Sequence, residues 1–142
     1  METATKSKPA KSQSPNNPSG ANKNVGDFFG SLYSFNVSLK LYHWHVTGKG
    51  SYAEHMALDQ ALETLGDVLD RIVETTYALL ENIDINVPQT PTPQNIVQHC
   101  TDFYNYIKEE REDLFTEDFQ DSIIDDYQEA IQQLLYRLKK LQ

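Results

Sequence analysis

The chain has 142 residues, 21 acidic against 12 basic side chains, and a net charge of −9. That length supports one domain with a core of useful size, and every apolar stretch is interrupted by polar or charged residues, which excludes a transmembrane span. The single cysteine, Cys100, excludes an internal disulfide and suits a reducing intracellular compartment such as the cytoplasm.

The first 24 residues are rich in Ser, Pro, Asn and Lys, and they hold Lys6, Lys8, Lys11 and Lys23 against Glu2 alone. Their net charge is +3, which leaves −12 for residues 25–142 out of the total of −9. Such a segment cannot bury a core, and disorder is expected over residues 1–24. It has no apolar run of the secretory type. The domain proper is expected over residues 25–142.

Four helices follow in the expected reading, with no strand. The first spans about Val25 to Val46, where Phe28, Phe29, Leu32, Phe35, Leu39 and Tyr42 recur at helical spacing. Thr47-Gly48-Lys49-Gly50 stops it. The second starts at Ser51, where Ser51-x-x-Glu54 matches a capping box, and runs to about Asn82. The third is expected from Thr92-Pro93, a cap followed by proline in the first turn. It carries Ile96, Val97, Cys100, Phe103, Tyr104 and Ile107. The fourth follows a cap at Thr116 and carries Phe119, Ile123, Tyr127, Ala130, Leu134, Leu138 and Leu141. Four amphipathic helices with short connections imply an all-α four-helix bundle.

The chemistry concentrates around the second helix. His55 and Asp59 are four residues apart, as are Asp70 and Glu74, so each pair shares a face. All four fall within an arc of roughly 100°. Leu58, Leu62, Leu65, Leu69 and Ile72 form the apolar flank. An acidic stripe is usually a solvated face, but imidazole and carboxylate in register form a ligand set for non-haem iron or manganese. No Glu-x-x-His occurs, which argues against a di-iron centre inside one bundle.

Asp59 and Asp70 lie roughly 16 Å apart along the axis. Bonds to first-row metals are about 2 Å long, so one ion cannot join both pairs on one helix. Two copies packed antiparallel about a two-fold axis solve this. His55 and Asp59 of one chain then face Asp70 and Glu74 of the other, at two identical sites per dimer. The midpoint falls between Thr64 and Leu65, and the adjacent Gly66 allows close approach. His43 lies at the end of the first helix, beside the loop to His55. His45 is expected either at the surface or behind a ligand, and Trp44 either as an aromatic packed at the dimer contact or as an interceptor of stray one-electron oxidants.

The pattern His43-Trp44-x-Val46-x-Gly48, then His55, Asp59, Asp70 and Glu74, resembles the ferroxidase signature of the Dps mini-ferritins. The likeness covers about residues 28–80. It implies a ferritin-like four-helix bundle, iron as substrate, hydrogen peroxide as oxidant, and protection against peroxide by storing or detoxifying iron. It also implies that His43, His55 and Asp59 come from one subunit and Asp70 and Glu74 from its two-fold mate, within a dodecameric homo-oligomeric cage. On that pattern Asp70 and Glu74, with His43 of the other chain, form the tighter iron site, and His55 and Asp59 a weaker one. Some members bind DNA through a lysine-rich tail, here Lys6, Lys8, Lys11 and Lys23. The sequence departs from the family at His45, where Asn is usual, and at about Ile83 to Thr92, a proline-rich connection too short for an extra helix. Its last two helices are also shortened. The alternative is a structural or nucleic-acid-associated helical protein with little iron turnover.

Overall fold

The computed structural model describes residues 20–140, which form four helices: α1 Gly20–His45, α2 Ser51–Tyr77, α3 Ile96–Glu110 and α4 Asp118–Lys140. No strand occurs among the described residues, and none of their helices is long and apolar enough to cross a membrane. The four-helix bundle is as the sequence implies. Helix α1 starts five residues before the expected domain boundary, at Gly20. The rest of the expected tail, with Lys6, Lys8 and Lys11, lies outside the described residues.

Several ends differ from the sequence reading for local reasons. The cap of α2 is Gly50, in the left-handed region at φ 80°, with no side-chain cap bond. Ser51 is therefore already the first helical residue, and the capping box does not form. Helix α2 stops at Tyr77 rather than near Asn82. Asn82 takes a positive φ of 60°, a conformation asparagine tolerates better than most residues. Helix α3 begins at Ile96, because Asn95 Oδ1 accepts from the Gln98 backbone N–H at 3.0 Å. At the start of α4 the side chain of Gln120 accepts from the Glu117 N–H at 3.2 Å, the reaching-back half of a capping box. Phe119, expected in the core stripe, is 49% exposed.

The cross-helix contacts give the topology. Gln120 donates to Thr76 at 2.9 Å and Arg71 to Asp126 at 3.3 Å, so α4 runs antiparallel to α2. His99 meets Ser38 and Tyr106 meets Ser31, so α3 runs antiparallel to α1. With α1 up, the order is up, down, down, up. The connection from α2 to α3, residues 78–95, must therefore travel the length of the bundle. It is the one connection that the expectation of short loops missed.

That connection lies along α1 because α1 makes room for it. Asn22, Gly26, Gly30, Ser34 and Ser38 recur every fourth residue, forming a stripe of small or polar side chains on one face. Asn22 Nδ2 donates to the Glu81 carbonyl, the Asn86 N–H donates to the Gly26 carbonyl at 3.3 Å, and Ser34 and Thr90 hydroxyls meet at 2.8 Å. A Cβ on Gly30 would overlap the Asn86 carbonyl. The opposite face of α1 carries Val25, Phe28, Phe29, Leu32, Phe35 and Leu39, all buried. They join Leu58, Leu65 and Ile72 of α2, Ile107 of α3 and Ile124, Ile131, Leu134 and Leu138 of α4 in one core. Phe35 stacks on Phe103 at 4.2 Å. Tyr127, fully buried, donates to Asn36 Oδ1 at 2.6 Å and approaches the Leu32 carbonyl at 3.3 Å. Arg111 ties α3 to α4 by reaching Asp121, Asp125 and Gln128.

Candidate metal centre

His43 sits in the last turn of α1, and the loop beyond it is short. Gly48 and Gly50 take φ of 93° and 80°, a region that costs glycine little and other residues more. The reversal they permit lays the first two turns of α2 against His43. His55 and Asp59 stand one turn apart on α2 and both reach the end of α1.

Three side chains converge there. His43 Nε2 lies 2.7 Å from Asp59 Oδ1, and His55 Nε2 lies 3.7 Å from Asp59 Oδ2. The two imidazoles are 3.8 Å apart, inclined at 32°. One ligand atom from each residue falls within 4.8 Å of the other two. Donors bound at about 2.0–2.2 Å to one first-row ion lie within roughly 4.4 Å of each other, so a small rotation of side chains closes the set. His43, His55 and Asp59 can hold a metal ion.

The state of His43 is informative. Its side chain is only 7% exposed. Neither ring nitrogen has a hydrogen-bond partner, although Nε2 is close to Asp59. The short distance reflects proximity without alignment. A buried polar atom without a partner costs about 1–3 kcal/mol, and a cation between His43, His55 and Asp59 would remove that cost at Nε2. Asp59 and His55 are half-exposed, at 46% and 43% of their side chains, so the group opens outward. Beside it lies a cleft of about 640 Å³ lined by Tyr52, Met56, Asp59, Gln60, Glu63 and Arg137. Arg137 comes from α4 and was not evident from sequence, because its place follows from how α4 packs. Tyr42 lies close by, its hydroxyl pKa raised by burial and then by the Glu54 carboxylate.

Asp70 and Glu74 are not part of this group. Both are exposed on the outer surface of α2, roughly 16 Å along the axis from Asp59 in the case of Asp70. Among the described residues the only group of three metal-ligating side chains is the one at His43. The single chain thus assembles three of the five candidate ligands of the sequence pattern. Gly66, between the two pairs, has nothing within 4 Å of where a Cβ would stand. Among the described residues no neighbour within the chain requires a glycine there. His45 is exposed, and so is Trp44, at 66%, with Lys40 Nζ 5.7 Å from its ring centroid. Trp44 is therefore not packed within the chain.

A family model described as a family of unknown function, DUF5856, matches residues 43–138. The chain belongs to this family. The match begins at His43 itself and takes in the whole candidate centre, the crossover, α3 and nearly all of α4. No curated protein and no solved structure matches the chain.

Proposed function

We propose that the chain is an iron-binding ferroxidase of the mini-ferritin type, which oxidises Fe(II) at di-iron sites shared between two subunits. The observation that carries this reading is the convergence of His43, His55 and Asp59, with His43 buried and its ring nitrogens without hydrogen bonds. Two imidazoles and a carboxylate with an open side form a ligand set suited to Fe(II). The up-down-down-up order with one long crossover supports it too, since that connectivity is the ferritin-like one. So do exposed Asp70 and Glu74, which a second copy of α2, antiparallel and closest near Gly66, would bring to the histidines.

In this reading two Fe(II) bind at each shared site. Each gives up one electron, the peroxide O–O bond breaks, and two protons complete two waters. Taking both electrons in one encounter avoids release of a hydroxyl radical. The carboxylates of Asp59, Asp70 and Glu74 stabilise the ferric product. Iron storage or detoxification, protection against peroxide and a dodecameric cage follow from the same reading. DNA binding through the N-terminal lysines is a separate proposal. It predicts a gel shift that weakens steeply with salt and disappears when residues 1–24 are deleted.

The test uses subunit exchange. His55→Ala and Glu74→Ala chains are each expected to be inactive in Fe(II) oxidation, followed by absorbance. In a mixed dimer both lesions fall on one site and the other is intact, so mixing restores activity. No recovery after proven exchange refutes shared sites. No oxidation by the unaltered chain, with either peroxide or dioxygen, refutes the ferroxidase reading in favour of a structural role. Faster initial rates with peroxide than with dioxygen are expected, and equal rates would overturn peroxide as the oxidant.

A further inference from the structure

Helix α2 carries an exposed tyrosine at its second residue and another at its last. Tyr52 is 77% exposed and Tyr77 50% exposed, large aromatic surfaces left in water by a chain whose core is otherwise well filled. Their positions are not arbitrary. Along α2 the order Tyr52, Asp59, Asp70, Tyr77 has spacings of seven, eleven and seven residues. At 100° per residue these four lie within about 20° of one line along the helix. The tyrosines are equidistant from the same point, between Thr64 and Leu65, as Asp59 and Asp70, and as His55 and Glu74.

We infer that Tyr52 and Tyr77 are the register anchors of an antiparallel α2–α2 contact with a second copy of this chain. The inference rests on the shared-site reading and names the residues that hold the shared site in alignment. In this register Tyr52 of one chain meets Tyr77 of the other, His55 meets Glu74, Met56 meets Val73, and Glu63 lies across from Gly66. The shape follows from two crossing helices. At an interaxial distance of about 8 Å and a crossing angle of about 20°, the axes separate to roughly 10 Å at the helix ends. A glycine suits the centre, where they are closest, and a pair of tyrosines fills the wider gap at each end. The open space at Gly66 and the exposure of both tyrosines fit these two requirements.

Charge selects the orientation. In a parallel pair each of Asp59, Glu63, Asp70 and Glu74 would lie across from its own copy, with no cation-binding imidazole opposite a carboxylate. The antiparallel pair sets the histidine-bearing end against the carboxylate-bearing end, which is the complementary arrangement once a cation sits at the histidines. A one-turn slip would move the tyrosines out of contact and the ligands out of reach together. Tyr52 and Tyr77 are therefore positioning residues for the site.

The experiment is cross-linking between full-length chains carrying Tyr52→Cys or Tyr77→Cys, with a short bis-maleimide and no added metal. Cys100 does not compete, because it is fully buried and burial pushes its thiol up to about 12. A covalent dimer is expected when the two variants are mixed and from neither alone. Cross-linking of each variant with itself would indicate parallel packing and overturn the inference. So would the absence of a product from the mixture, or a monomer at all concentrations in sedimentation. Tyr52→Ala and Tyr77→Ala should each weaken the dimer about 10-fold or more, with unchanged helical circular dichroism because both residues are exposed. A mixed cross-linked dimer that oxidises no Fe(II) would sustain the register and overturn the ferroxidase reading instead.

Discussion

The two ends of α2 carry similar chemistry and meet different fates. At the N-terminal end Asp59 and His55 find His43 of α1, and three ligand atoms come together inside one chain. At the C-terminal end Asp70 and Glu74 lie one turn apart on the same line of the helix, and both face solvent. The difference comes from what each end packs against. The short glycine loop brings α1 back onto the first turns of α2, whereas at the far end the chain leaves along α1 and contributes nothing over Asp70. One end gathers three ligand atoms within the chain, and the other leaves its two carboxylates exposed to solvent.

The largest expected effect would break this comparison directly. Asp59→Ala should weaken binding of the first divalent ion, titrated calorimetrically with Co(II) as a probe, by about 10–100-fold or more. In dilute monomer, where only His43, His55 and Asp59 converge, Asp70→Ala should leave that ion in place, and on the shared-site proposal it abolishes Fe(II) oxidation by the dimer. Equal loss of the first ion in both variants would mean that the ends are not different in kind.

A second contrast concerns two glycines. Gly30→Ala forces a methyl onto the Asn86 carbonyl of the crossover and should cost about 1–3 kcal/mol by overpacking. It is read as a lower urea midpoint. Gly66→Ala meets open space in the middle of a helix and should raise chain stability by about 0.5–1 kcal/mol. Destabilisation by Gly66→Ala in dilute monomer would show an unrecognised contact within the chain. Between these lies Tyr127→Phe, which leaves Asn36 without its buried donor and should cost about 1–2 kcal/mol.

The smallest effect depends on pH. Burial lowers the pKa of His99, and the Asp102 carboxylate only partly opposes this. Ser38 gives its hydroxyl proton to the Phe35 carbonyl at 2.6 Å and so accepts from His99 Nε2 at 2.7 Å, a bond that neutral imidazole can make. The folded chain then binds fewer protons at this site than the unfolded chain does. Stability contributed here is present above about pH 6.5 and is lost as pH falls through the lowered value. In denaturant melts at pH 7.5 and 5.0, His99→Phe should lose less stability on acidification than the unaltered chain. An equal or greater loss would remove His99 as a source of that dependence.

The sequence by itself determined the number and type of helices, because the apolar residues of α1, α2, α3 and α4 recur with the helical period whatever they pack against. It also determined that His55 and Asp59 share a face of α2, as do Asp70 and Glu74, since that follows from helix geometry alone. It did not determine the helix ends. Gly50 and Asn95 set two of these through local backbone conformations that compete with capping signals only a few residues away. Nor did it determine the long crossover, whose stripe on α1 consists of small residues with no apolar signal to read. The short loop and the resemblance already set His43 beside His55 and Asp59, but only the tertiary structure decided the distances among them, that the His43 ring nitrogens lack hydrogen-bond partners, and that Arg137 borders the same cleft. Those facts depend on how α1 and α4 lie against α2, and helix packing is fixed by the interlocking of side chains distant in sequence, which no local period encodes.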